Sequence, residues 1–264
     1  MCSRTGILVL SALCSCIVFA ALCSCSVLEG RESCPCLLHL DVDESTVSVT
    51  DSVRIWILGD GVSYTAVLSS SDYAEGMTVP VTTRSGVYVT VMDSASAGDS
   101  RDGMLSIPPG GQCPEVFDFR NFCDTSGEAA EQHIQLHKNH CRVSVSFPEA
   151  VSGGYSLEIA GNVNGYTSQG EMMDGEFVCE PYIDGEDRFV FCIPRQRDGS
   201  LNMTISREDG PPRVFAIGNY ILDIGYDWTA VDLADVEISV DYAAGELRLH
   251  IEGWTDSGAV DLVI

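Results

Sequence analysis

The chain has 264 residues, with 39 acidic and 14 basic side chains and a formal charge of −25 at pH 7. A field this negative repels nucleic acid and anionic lipid headgroups, which excludes partners held by basic patches. High charge can mean disorder, but 45% of the residues are hydrophobic and sit in short patterned runs, so the chain reads as folded with an acidic surface.

Met1 to Gly6 carries one charge, Arg4, and Ile7 to Leu22 is apolar apart from Ser11 and Ser15. This is the n-region and h-region of a secretory signal. No charge follows until Glu29. A transmembrane helix needs about 20 apolar residues, so an uncleaved anchor is the competing reading. Leu22-Cys23-Ser24-Cys25 favours cleavage, because a bacterial lipoprotein signal ends in an apolar residue, a variable position, a small residue and a cysteine. Leu13-Cys14-Ser15-Cys16 has the same form but leaves an h-region of only about seven residues. Residues 1–24 are expected to be the signal peptide, Cys25 the lipidated residue, and 25–36 a short tether. A lipoprotein cysteine carries three acyl chains, which holds a soluble domain at a bilayer where one chain would not.

Strand alternation follows the tether. Leu38, Leu40 and Val42 alternate with His39, Asp41 and Asp43; Val53, Ile55 and Ile57 alternate with Arg54 and Trp56. Similar runs cover 63–68, 78–82 and 86–92, separated by turn clusters at 59–61, 72–76 and 96–99. Short strands at intervals of about 8–12 residues predict a β-sandwich. The stretch 108–130, with PPGGQ at 108–112 and TSGEAA at 125–130, reads as the looser approach to a domain boundary. A second set begins at Val143, Val145 and Phe147 and continues through 155–160, 176–180, 188–193, 201–206 and 212–217. Only 217–226 reads as helix, with Ile217, Ile221 and Ile224 on one face. Closing strands are expected at 236–240, 247–251 and 260–264, with Trp254 buried beside that helix.

No GxSxG, P-loop, HExxH or dinucleotide fingerprint is present, and carboxylates are too numerous to single any out. Neither catalysis nor a cofactor is expected. His133, His137, His140 and Cys141, with Cys123 upstream, are the most metal-like cluster. They lack a CxxC partner, and Ile134 and Leu136 alternate as in a strand, so the expectation is a boundary strand with exposed histidines and no metal. The acidic clusters at 41–44 and 184–187 read as solvated turns. Beyond the signal and Cys25, the cysteines are Cys34, Cys36, Cys113, Cys123, Cys141, Cys179 and Cys192. The odd number leaves one unpaired or bonded to another chain, and export permits disulfides. Cys179 and Cys192 flank an expected hairpin, FVCEPYIDGEDRFVFC. With Gly185-Glu186 as its turn they face each other within reach of a disulfide; with Asp184-Gly185, Cys179 faces Val190 and the bond fails.

Several segments, in order, resemble the FimB-type fimbrial anchor lipoproteins of Bacteroidales. They are the lipoprotein start, Cys34-Pro35-Cys36-Leu37, Leu136-His137-Lys138-Asn139-His140-Cys141, Pro194-Arg195-Gln196-Arg197-Asp198-Gly199-Ser200-Leu201, FAIGNYILDIGYDWTAVDLADVEISVDYA at 215–243, and Ile251-Glu252-Gly253-Trp254. The resemblance implies an all-β chain of two tandem transthyretin-like β-sandwich domains, 37–139 and 140–264. It implies attachment of a fimbrium to the outer membrane through the lipid, and fimbrillin partners joined by strand addition. In such fimbriae a protease cuts after a basic residue near the first strand, and loss of that strand opens a groove for a neighbour. Here no lysine or arginine lies between Arg31 and Arg54, so the 44–52 loop offers no cut and the first strand, about 37–43, is expected to stay. The rival function is a surface glycan-binding lipoprotein, which would need exposed aromatics on one face.

Overall fold

In the computed structural model, period-2 burial builds the first strand. Cys36, Leu38, Leu40 and Val42 point inward; Leu37, His39 and Asp41 point outward. The structure describes residues 34–43, 50–73, 75–98, 100, 102–147, 154–184, 186, 188–208, 210–241, 246–251 and 262–263. Cys25, the signal and Trp254 lie outside them. The chain divides into two compact units, Met1–Pro35 and Cys36–Ile264, and the second is described below.

Its strands are β1 (Cys36–Val42), β2 (Ser52–Gly59), β3 (Val62–Ser69), β4 (Met77–Val81), β5 (Val87–Asp93), β6 (Leu105–Ser106), β7 (Phe117–Cys123), β8 (Ala129–Ile134) and β9 (His137–Lys138). They continue with β10 (His140–Ser146), β11 (Tyr155–Tyr166), β12 (Met172–Cys179), β13 (Tyr182–Ile183), β14 (Phe189–Pro194), β15 (Asn202–Arg207), β16 (Gly210–Phe215), β17 (Val236–Asp241), β18 (Glu246–Ile251) and β19 (Leu262–Val263). Three short helices, α1 (Ser70–Tyr73), α2 (Ser94–Ala97) and α3 (Ile217–Asp223), complete the described elements.

The strands form all-β sandwiches. One sheet runs β4-β1-β8, with β1 antiparallel to β4 and parallel to β8; a second runs β3-β2-β5-β7-β9. Their inward residues share a core that includes Leu38, Leu40, Ile55, Ile57, Val79, Val89 and Val91. A third sheet runs β13-β14-β10-β17-β18-β19 and a fourth β12-β11-β15-β16, and their inward faces share a second core. β14 is buried at every position, so both of its faces are covered. Among the described strands, every pair except β6 with β11 joins strands on the same side of Asn139. β6 docks because Gly165 lets the backbones close: a Cβ there would lie 2.0 Å from the Leu105 oxygen. Trp56 and Met92, from β2 and β5, also pack into the second core.

The stretch read as loose, 108–130, is only partly so. Residues 117–123 are β7, and 129–134, overlapping its end, are β8. In β7, Phe117 and Phe119 pack on the first core, while Asp118 and Arg120, on the opposite face, are buried against each other at 2.7 Å. α3 is shorter than the predicted 217–226. Gly225 turns to φ +86°, and the Tyr226 N–H closes back on the Ile221 carbonyl at 3.2 Å, which ends the helix. Ile217 and Ile221 are buried as expected, and Ile224 packs partly against the same core.

Candidate functional site

The segments that carry the resemblance, 136–141, 194–201 and 215–243, meet at one buried joint. Asn139 lies between β9 and β10, where the chain passes from one sheet to another. The Tyr166 hydroxyl donates to the Asn139 carbonyl at 2.8 Å and accepts from the Arg195 N–H at 2.6 Å. Arg195 Nε donates to Asn139 Oδ1 at 3.0 Å, and its Nη1 to the carbonyls of Ala230, at 2.8 Å, and Trp228. Asn139 Nδ2 reaches Asp118 at 3.3 Å. Arg120, paired with Asp118, donates to the Gly103 carbonyl at 2.7 Å and to that of Thr167. Alongside, Lys138 pairs with Asp235, whose carboxylate also accepts from the Arg142 N–H at 2.9 Å. Buried charges with this many partners hold one geometry, because losing any member strands the others. The arrangement is a fixed joint: it presents no nucleophile.

The histidines go to three neighbourhoods. His133 is exposed, with Nδ1 2.9 Å from Asp41 and Nε2 3.4 Å from Asp43. The hydrogen bond to Asp41 holds its pKa above the ordinary value. His137 lies 3.4 Å from Asp232. His140, expected to be exposed, is 2% exposed. Its Nδ1 meets the Val116 backbone at 3.0 Å, its ring stands edge-on to Phe117, and burial lowers its pKa. His140 instead meets Glu115 and Cys192, one ligand atom from each lying within 4.8 Å of the others. That trio has the donor types to hold a metal. Arg142 approaches the Glu115 carboxylate at 4.0 Å, and burial pushes the Cys192 thiol up to about 12. Glu115 escaped the sequence reading because it sits in a stretch read as linker.

Cys179 and Cys192 are not cross-strand neighbours. Cys179 pairs with Ile159 in one sheet, and Cys192 with Arg142 in another. The hairpin is the shorter β13–β14 pair, Tyr182 opposite Val190, with the Asp184 carboxylate accepting from the N–H groups of Glu186 and Arg188. Residues 180–181 carry the chain between sheets, so Cys179 and Cys192 lie in different sheets. Both are free thiols, buried with Cys113 in the second core.

Sheet edges are where a β-protein meets another chain. Most long edges here are defended. β16 begins Gly210-Pro211-Pro212-Arg213, β12 contains Asp174 and Glu176, β4 contains Pro80, and β8 contains Glu131. β3, VSYTAVLS, has no charge, proline or glycine. It pairs with β2 along its whole length and, among the described residues, with no strand on its other side. Its Val67 is 55% exposed. A cavity of about 500 Å³ between α2 and residues 104–114 has neither aromatic nor charged lining. Trp56 and Trp228 are buried, so neither offers a ring face to a sugar.

No protein-family model matches the chain, and no curated protein sequence does. Solved structures do. The fimbrial anchor protein Mfa2 from Porphyromonas gingivalis aligns at 12% identity and TM-score 0.57, over 84% of this chain and 98% of that one. A candidate adhesin from Bacteroides ovatus aligns at 11% identity and TM-score 0.58, over 84% and 94%. A candidate polysaccharide-binding protein from Bacteroides thetaiotaomicron aligns at 12% identity and TM-score 0.57, over 83% and 96%. At these identities the likeness is one of fold alone.

Proposed function

We propose that this chain is the anchor or accessory subunit of a fimbrium: a lipoprotein held at the outer membrane through Cys25, with no catalytic role. Two sandwiches, 37–139 and 140–264, meet at the Asn139 joint. Fimbrial subunits join by strand addition, and the β3 edge is the accepting strand. The observation that carries the reading is the fold, shared over 84% of this chain and 98% of a fimbrial anchor protein. The joint supports it, because a buried hydrogen-bonded network keeps two sandwiches in line under load. The undefended β3 edge supports strand addition, in which backbone bonds supply affinity. β1 is the middle strand of its sheet. With no basic residue between Arg31 and Arg54 for a trimming protease, it stays and closes that position to a donor strand, so the subunit ends the polymer.

Crosslinking on intact cells followed by mass spectrometry tests the proposal. Links to a fimbrial subunit, and co-purification with shed fimbriae, are expected. A crosslink map without any fimbrial subunit would overturn it. The second reading, a surface glycan-binding lipoprotein, rests on the fold shared with the candidate polysaccharide-binding protein. The burial of Trp56 and Trp228 weighs against it, and a carbohydrate array decides.

A further inference from the structure

Two short crossings bring Cys36 and Cys123 to the same end of the first core. Cys36 opens β1 opposite Val81, the last residue of β4. Residues 82–86 then cross to Val87, the first residue of β5, which pairs with Cys123 at the end of β7. Residues 124–128 cross back to Ala129, which opens β8 opposite Leu37. The crossings are tied to each other and to β1. Thr125 Oγ1 donates to the Thr83 carbonyl at 2.7 Å, and the Gly86 N–H donates to Thr125 Oγ1 at 3.2 Å. Arg84 donates to the carbonyls of Ser126 and Gly127, and the Leu37 N–H to that of Glu128 at 2.9 Å. Gly86 is pressed so closely on the end of β7 that a Cβ there would lie 3.0 Å from the Cys123 oxygen. Both cysteines point inward, 0% and 6% exposed, into one core. Burial raises the pKa of both thiols.

We propose that Cys36 and Cys123 form a disulfide in the exported protein, stapling the first strand to the opposite sheet. Both are reduced in the structure. The oxidant is the disulfide of an exported thiol–disulfide oxidoreductase or a small-molecule disulfide. One cysteine thiolate attacks it and expels a thiolate, and the second cysteine resolves the mixed disulfide and expels the other. The pair loses two electrons and two protons, and the oxidant gains them as two thiols. Because the packed core excludes an oxidant, the bond forms as β1 docks. Resting on the anchor reading, the staple deepens it: a strand bonded across the core cannot be displaced by one from another subunit.

The test uses full-length protein purified without reductant, with a second sample treated with oxidised glutathione. Each is denatured in N-ethylmaleimide and digested with trypsin. No lysine or arginine lies between Arg31 and Arg54 or between Arg120 and Lys138, so the cysteines fall in peptides 32–54 and 121–138. A linked pair that reduction separates is expected, in the wild type and in Cys34→Ser alike. Recovery of Cys36 and Cys123 as maleimide adducts, or a link that needs Cys34, overturns the proposal. The double variant Cys36→Ala, Cys123→Ala should melt about 10 °C below oxidised wild type, with most of the gap closing when wild type is reduced. An equal gap in oxidised and reduced protein would also overturn it. Crosslinking fails independently: a staple without fimbrial partners refutes only the anchor reading, and partners without a staple refute only the disulfide.

Discussion

Replacing Tyr166 with Phe removes one oxygen from the joint and leaves the ring packing intact. That oxygen serves two buried hydrogen bonds, to the Asn139 carbonyl at 2.8 Å and from the Arg195 N–H at 2.6 Å. Burial holds the phenol pKa above its ordinary value, so the hydroxyl remains a donor throughout the working pH range. Each bond contributes about 1 kcal/mol net, and a buried group left unpaired costs about 1–3 kcal/mol. With no cavity to add, the loss is about 2–4 kcal/mol. At about 2–4 °C per kcal/mol for a chain of this size, that is a fall of about 5–15 °C in Tm. Differential scanning calorimetry reads the shift, and urea titration should show a lower midpoint at an unchanged slope. Tyr182→Phe, at a side chain 54% exposed, is the control and should stay within about 0.5 kcal/mol of wild type. If Tyr166→Phe also stays within that margin, the joint is not the rigid element described.

Cys25→Ala should abolish labelling by a clickable fatty acid and release the protein from the membrane fraction; retained label would sink the lipid assignment. Val67→Lys, on the exposed face of β3, should leave Tm unchanged while weakening capture of fimbrial subunits several-fold, and undiminished capture would clear that edge of a role. For His140, burial holds the folded pKa below that of the unfolded chain, near 6.5. The unfolded chain therefore binds the proton first, and stability is full above about pH 6.5 and falls below it. His133 runs the other way: its pKa is raised by Asp41, so its small exposed contribution is present below about pH 6.5 and fades as pH climbs through the raised value. Histidine titration by NMR should find His133 above His140, and Asp41→Asn should bring His133 down; an unmoved His133 would refute the pairing.

The strands with clean alternation were legible because burial on one face imposes a period of two on the side chains. Leu38, Leu40 and Val42, or Val236, Ile238 and Val240, needed no other information. The acidic surface, and the helix bearing Ile217 and Ile221, followed in the same way. Tertiary structure decided whatever depended on which strands lie beside one another. Asp118 and Arg120 alternate with Phe117 and Phe119 as solvent-facing residues would, yet they are buried, because each neutralises the other only once the chain has folded around them. His133, His137 and His140 look like one cluster in sequence and separate in space, while Asn139, Tyr166 and Arg195, far apart in sequence, share a hydrogen-bond network. The exposure of β3 and the placing of Cys36 and Cys123 at one end of the same core are of the same kind. Local propensity fixes the direction in which a side chain leaves its strand, but its neighbour across the core is set by the order of strands in the sheets, and no pattern local to one segment encodes that order.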